Sequence, residues 1–273
     1  MTTLRPGTLL DAPKHMDGTW RTLVTPPLSG AANMALDHAL MERARRTGER
    51  VFRVYSWSQP TLSLGRHQMS RNRINTGAAR ELGVALVRRP TGGRALLHHR
   101  EVTYSVTTAL SRHDSVRGWY ASISSVLLDA LRLLGVKAET ATPAGRTPLP
   151  ATASCFVQPD DGEITVDGRK LVGSALLRQQ DALLQHGSIL LDDDQPLLNA
   201  VLPEDELRPT PAGTLRQAMA VTPSFDDVAA ALFSALRAIP RVRAAELDLD
   251  ARLRDEAADW ERVYGSEEWT YKR

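Results

Sequence analysis

Cys155 is the only cysteine in the chain, and it precedes Lys170 by fifteen residues (170 minus 155). A thiol attacks a carbonyl carbon well only as the thiolate, and a neighbouring ammonium favours that form by charge pairing. Between the two stand Glu163-Ile164-Thr165-Val166, then Asp167-Gly168, then Arg169-Lys170-Leu171-Val172. An Asp-Gly pair between two β-prone runs is a strong hairpin signal. A two-residue turn places Lys170 opposite Thr165 on a rigid strand, and the loop 155–162 could then carry the sulfur back towards the amine. Such a pair suits acyl transfer through a thioester. Spacing alone leaves a plainer reading open, with the cysteine a small buried hydrophobe and the lysine a surface charge.

A second stretch with chemical potential is Arg88-Arg89-Pro90-Thr91-Gly92-Gly93-Arg94. Paired glycines between strands allow positive φ or close backbone approach to a ligand, and the arginines offer charge-assisted donors to a carboxylate or phosphate. No Gly-Lys-Ser/Thr follows, so it is not a phosphate loop of the Walker type, and the strand that follows it excludes a dinucleotide fingerprint. An ordinary glycine turn with surface arginines also fits the pattern. Gln185-His186-Gly187-Ser188 interrupts the apolar run 182–191, which suggests close approach by another group or a satisfied structural histidine. His98 and His99 are adjacent on a strand and point to opposite faces, so they do not chelate one ion together. Asp192-Asp193-Asp194 and Glu204-Asp205-Glu206 lack ligand-like spacing and read as solvated loop faces.

The positioning elements follow from periodicity and punctuation. Ser29 caps a helix through 33–41, with Leu36, Leu40 and Ala44 as its buried stripe and Gly48 past its end. Strands are expected at 51–55, 61–65, 84–89, 94–98 and 102–107, a short helix at 73–82 and a strongly amphipathic helix at 119–134. The stretch 141–154 reads as a loop ending near the cysteine, residues 163–166, 169–177 and 182–191 as consecutive antiparallel strands, and 224–238 and 249–263 as helices. Hairpins mixed with helices favour an α+β fold over a doubly wound parallel sheet. Residues 1–19, with Pro6, Gly7, Pro13 and Gly18, read as an irregular leader. The rest reads as one domain.

Composition limits the function. One cysteine excludes an internal disulfide framework and leaves too few thiolates for a structural zinc site. A formal net charge of +2 is too small to argue for nucleic acid. No apolar run is long enough to span a bilayer, and the first residues have no apolar signal core, so a cytoplasmic protein is expected.

Six motifs occur in order: 33–37 (Asn-Met-Ala-Leu-Asp), 63–68 (Ser-Leu-Gly-Arg-His-Gln), 88–95, 101–105 (Glu-Val-Thr-Tyr-Ser), 169–175 and 184–189. Together they resemble the biotin/lipoate protein ligase and octanoyltransferase superfamily over roughly residues 20–250. The resemblance implies a mixed, largely antiparallel sheet flanked by helices, with the catalytic domain over 20–250. It also implies that residues 251–273 form a helix and tail packed on the same domain. Arg94 stands where the ligases show a third glycine, and Leu97-His98-His99-Arg100-Glu101 replaces their His-Asp-x-Gly-Asn run. An accessory C-terminal domain, common in those ligases, is not expected here, because the sequence ends soon after its last helix.

Ser154-Cys155-Phe156 with Lys170 resembles the cysteine-dependent octanoyltransferases of the LipM type. In that reading Cys155 and Lys170 are catalytic, while Arg89, Gly92, Gly93, His98, Gly173, Ser174, His186 and Gly187 bind substrate. Neither metal nor cofactor is implied. The implied partners are octanoyl-acyl carrier protein as donor and a lipoyl domain, such as the glycine cleavage H protein, as acceptor, with no membrane. Arg43, Arg45, Arg46, Arg71 and Arg73 could steer such acidic partners, or could simply be solvated helix faces. Three alternatives stay open: an ATP-dependent lipoate-protein ligase with Lys170 on the adenylate phosphate, an amidotransferase between lipoyl domains, and a non-catalytic binding module.

Overall fold

The computed structural model describes residues 14–70, 73–141, 162–202 and 211–272. In chain order come β1 (Gly18–Val24), α1 (Gly30–Thr47), β2 (Arg50–Tyr55), β3 (Thr61–Leu64), α2 (Thr76–Glu81), β4 (Ala85–Arg88), β5 (Leu96–His98) and β6 (Glu101–Ala109). They are followed by α3 (Val116–Leu133), β7 (Glu139–Thr140), β8 (Ile164–Val166), β9 (Arg169–Gln179) and β10 (Ala182–Leu190). The last elements are α4 (Leu198–Val201), α5 (Leu215–Ala218), α6 (Phe225–Ala238), β11 (Val242–Glu246), α7 (Ala251–Tyr264) and α8 (Glu267–Thr270).

The hairpin around Asp167-Gly168 forms as its residues demand. Thr165 stands opposite Lys170 and Val166 opposite Arg169. Asp167 and Gly168 both take positive φ, 49° and 70°, the conformation a two-residue hairpin turn needs. A register shift between Ile164 and Thr165 bends the pair just beyond the lysine.

Eight strands make one sheet in the order β11-β1-β2-β6-β10-β9-β8-β7, and three make a second in the order β4-β3-β5. In the large sheet only β1 has parallel neighbours, β11 and β2. The remaining pairs are antiparallel. The fold is therefore α+β, as expected.

Strand alternation gives the large sheet two different faces. Phe52, Val54, Val102, Tyr104, Val106, Leu183 and Ile189 point into the main core, where Trp119, Ile123 and Leu127 of α3 and Leu232 and Leu236 of α6 cover them. The opposite face carries Arg53, Tyr55, Thr103, Ser105, His186 and Ser188, and α1 lies across it. Covered on both faces, β10 is buried along its whole length. For the same reason α1 is buried on most sides from Asn33 to Met41, between the sheet, β4 and α7. Its caps are Ser29, which accepts from the Ala32 N–H, and Gly48 in the left-handed region.

Residues 14–19 depart from the leader expected there. Lys14–Met16 make one 3-10 turn, β1 begins at Gly18, and Met16 and Trp20 are buried in the main core. The strand is held by pairing with β2 and with β11, near the other end of the chain, which no local pattern announces.

Candidate active site

Gly187 sits in the middle of β10, between Tyr104 on β6 and Ser174 on β9. A Cβ there would meet the Gly173 carbonyl oxygen at 2.5 Å and the Ser174 hydroxyl at 2.8 Å. Only glycine leaves space for the Tyr104 to Ser174 hydrogen bond of 2.7 Å that crosses this point.

Beside it, between the two sheets, is a cleft of about 350 Å³ of empty space, its mouth included. Met34, Tyr55, Trp57, Leu96 and Ala175 supply apolar wall. Arg89, His98, Thr103, Gly173, Ser174, His186, Gly187 and Ser188 supply the rest.

Two histidine–carboxylate pairs hold this wall. His186 Nδ1 lies 3.3 Å from Asp37 Oδ2, and its Nε2 lies 2.7 Å from the Thr91 hydroxyl. Asp37 also accepts from Arg53 Nη1 at 2.8 Å, Tyr55 OH at 2.9 Å and Ser105 Oγ at 2.7 Å. Burial would raise the Asp37 carboxyl, but the Arg53 guanidinium and the His186 and Ser105 hydrogen bonds outweigh it and hold it below its ordinary value. Burial lowers His186 despite its acidic neighbour. In the neutral form, a proton on the nitrogen that faces Asp37 leaves the other nitrogen to accept from Thr91.

The second pair joins His98 Nδ1 to Glu101 Oε1 at 2.7 Å, with His98 Nε2 at 2.7 Å from the Ser63 hydroxyl. Glu101 Oε1 also accepts from Thr103 at 2.5 Å and Ser188 at 2.7 Å. Trp57 stacks on the His98 ring at 4.0 Å and donates its indole N–H to Thr103. Arg89, itself buried, donates to the Ser63 carbonyl and hydroxyl and to the carbonyls of Gly92 and Arg94.

Six of the eight expected substrate-binding residues therefore line one cleft: Arg89, His98, Gly173, Ser174, His186 and Gly187. Gly92 and Gly93 stand beside it. The Gly92 carbonyl receives Arg89, and Gly93, at φ 98°, approaches Gly65 so closely that a Cβ on Gly65 would sit 1.9 Å from the Gly93 oxygen. Lys170 is buried on β9, three positions before the cleft-lining Gly173, and forms an ion pair with Glu163. Cys155 and Arg71 lie outside the described residues.

The other charge assignments change in part. Arg43 pairs with Glu49 and Asp250, Arg45 with Glu42, and Arg46 with Glu256, so these three are already engaged within the molecule. Asp192 and Asp194 are not simply solvated. Both bind Arg100, and Asp193 accepts the Ala212 N–H.

Sequence reasoning missed Asp37, Glu101 and Glu163 as partners of the site, together with the walls Met34, Tyr55, Trp57 and Ser188. A signal existed for two of them. Asp37 follows Leu36 within an apolar helical stripe, and Glu101 opens an apolar strand, where a carboxylate must find donors inside the protein.

Comparison with known proteins is consistent with this geometry. Residues 29–237 match the family model of the lipoyl protein ligase A/B catalytic domain. The octanoyltransferase LipM of Kyrpidia tusciae is 40% identical over 272 residues, covering 93% of this chain and 99% of the relative. That of Bacillus subtilis is 34% identical over 274 residues, with the same coverage of 93% and 99%. A putative lipoate protein ligase from T. acidophilum, solved with bound lipoic acid, superposes with a TM-score of 0.77 at 20% identity, covering 93% of this chain and 100% of that one. That last likeness speaks to the fold. The sequence matches go further, and the chain belongs to the lipoyl protein ligase A/B catalytic-domain family and, within it, to the LipM-type octanoyltransferases, acyltransferases of lipoate biosynthesis.

Proposed function

We propose that the protein moves an octanoyl group from the thioester of octanoyl-acyl carrier protein to the target lysine of a lipoyl domain, through an acyl thioester on Cys155. The glycine cleavage H protein is the proposed acceptor. One observation carries the reading: a buried lysine, paired with Glu163, stands on the strand that three residues later walls a partly apolar cleft.

The first half-reaction begins with Cys155 as thiolate, favoured by the Lys170 ammonium. Its sulfur bonds to the donor carbonyl carbon, the carbon–sulfur bond to the carrier breaks, and the carrier thiolate takes the proton that Cys155 gave up. In the second, the lysine amine of the lipoyl domain attacks the same carbon. The bond to Cys155 breaks, the amide forms, and the proton released by the amine restores the thiol. The donor is already activated, so the route needs no nucleotide. Splitting the transfer lets one cleft serve two protein partners in turn.

Glu163 has a defined part in this scheme. It supplies the counter-charge that keeps a buried ammonium charged and fixes where that charge sits. Met34, Tyr55, Trp57 and Leu96 give the acyl chain its apolar surface, at about 0.8 kcal/mol per buried methylene.

The test is intact-protein mass spectrometry of wild type and Cys155→Ala after incubation with octanoyl-acyl carrier protein, without ATP. One hydroxylamine-labile octanoyl group on wild type and none on the variant is expected. An adduct that persists in Cys155→Ala, or one that requires ATP, refutes the thioester route.

A further inference from the structure

Arg88 is fully buried and is one residue from the cleft-lining Arg89. Its guanidinium donates to the carbonyls of Gly65 and Gln68 at 2.7 and 2.8 Å and to the Ser70 hydroxyl at 2.8 Å. Its Nε reaches the Thr270 carbonyl at 2.9 Å, in the last turn of α8. The contact is reciprocal, because the Trp269 indole N–H donates to the Arg88 carbonyl at 2.8 Å. The Lys272 ammonium lies 3.3 Å from the centre of the Trp269 ring, on its face.

The same C-terminal segment reaches the cleft wall by a second route. Tyr264 is buried in one cluster with Met34, Tyr55 and Trp57, three residues that line the cleft, and Trp269 packs against that cluster. Tyr264 and Trp260 also grip His38, next to Asp37 on α1, by a 2.7 Å hydrogen bond and a stack at 3.6 Å.

Beyond Arg88 the connections run straight into the site. The loop that Arg88 gathers also bonds the far side of the glycine stretch, since the Arg66 N–H donates to the Thr91 carbonyl at 2.8 Å. Thr91 then holds His186 through its hydroxyl. Arg88 thus ties α8 to the loop 65–70 and, through the Arg66 to Thr91 bond, to the stretch 89–94, whose Arg89 lines the cleft.

We propose that Trp269 and Thr270, acting through Arg88, position the loop 65–70 and, through it, the cleft-bordering stretch 89–94, and so set the acyl cleft's length and affinity for the chain. These are positioning residues, since neither lines the cleft, and they lie beyond the 29–237 span of the family match. The inference rests on the reading that this cleft takes the acyl chain.

Trp269→Phe is the discriminating variant, because it keeps a ring against the cluster and beneath Lys272 but cannot donate to the Arg88 carbonyl. Losing one such hydrogen bond should weaken equilibrium binding of octanoate about three- to tenfold and narrow the preference for octanoate over hexanoate. Hydrogen exchange should rise in peptides spanning 62–70 and 88–98 and stay unchanged in α6. Restoring an N–H donor with Trp269→His should recover part of both effects. Unchanged exchange in Trp269→Phe overturns the proposal, and so does raised exchange with unaltered octanoate affinity and preference. Should wild type bind no octanoate, the assignment of the cleft to the acyl chain falls and this proposal falls with it. Failure of the Cys155 adduct alone leaves the binding and exchange results to decide the positioning role.

Discussion

Acid should weaken this protein partly through one residue, His38. Its ring is buried between α1 and α7, stacked on Trp260, with Nδ1 bonded to the Tyr264 hydroxyl and Nε2 without a hydrogen-bond partner among the described residues. Burial is the main cause that lowers its pKa from 6.5 to about 4. Glu42 opposes the shift, and Arg66 adds to it. A histidine with a lowered folded-state pKa contributes stability that is complete above 6.5 and is lost as the unfolded chain binds protons first. The loss continues down to the folded value, near 4, where both states are protonated. At about 1.36 kcal/mol per pH unit, lowering the pH from 7.5 to 5 should remove roughly 2 kcal/mol through this group alone. The assay is urea unfolding of wild type and His38→Phe at both pH values. Phenylalanine keeps the stack on Trp260 and cannot titrate. All other groups cancel in the difference of differences, so the variant should lose roughly 2 kcal/mol less than wild type on acidification. Equal losses in the two proteins would refute the reasoning.

Asp37→Asn removes the carboxylate paired with the fully buried Arg53, and should cost about 3–5 kcal/mol in urea unfolding, with loss of octanoyl uptake. A change below about 1 kcal/mol would show that the network tolerates a neutral acceptor. Gly187→Ala drives a methyl to 2.5 Å from the Gly173 oxygen, so it should cost roughly 1–3 kcal/mol and reduce acyl transfer more than the stability loss explains. Lys170→Met leaves Glu163 without its ammonium, so it should destabilise the fold by about 3 kcal/mol, more than Lys170→Met with Glu163→Leu does. Alkylation of Cys155 near neutral pH should slow in both variants, and an unchanged rate would remove the electrostatic role given to Lys170.

Much of the frame was legible because its signals are local. Ser29 and Gly48 bound α1, Asp167-Gly168 makes its hairpin, and Thr165 faces Lys170 as a two-residue turn requires. The site was legible in its histidines and glycines and not in its carboxylates. Asp37 meets His186 across a separation of 149 residues, and Arg88 meets Thr270 across 182. No periodicity encodes such pairs. β1 and β11 were missed for the same reason, since they pair with each other across most of the chain's length. Gly93 is a mixed case: it takes the positive φ read from the glycine pair, and the backbone that it closely approaches is Gly65 of the neighbouring loop.

On the proposed reading, in which the cleft takes the acyl chain, the way it is built bears on how sharply it can measure that chain. Shortening an acyl chain by two carbons forfeits about 1.6 kcal/mol of transfer free energy, close to fifteenfold in affinity. A wall free to collapse would stop there. Here the wall residues are tied by bonds of fixed direction: His186 between Asp37 and Thr91, His98 between Glu101 and Ser63, Trp57 on Thr103, Arg89 on three backbone carbonyls. Moving any of them inward would break hydrogen bonds inside the protein, at roughly 1–3 kcal/mol for each group left unpaired. The void left by two missing methylenes, roughly 50 Å³, then stays open and adds about 1.2 kcal/mol at 24 cal/mol per Å³. The two terms together approach 3 kcal/mol, so octanoate should bind about a hundredfold more tightly than hexanoate in wild type. A measured ratio near fifteen would mean that the wall yields, and that the buried network serves the fold and not the selection of the chain.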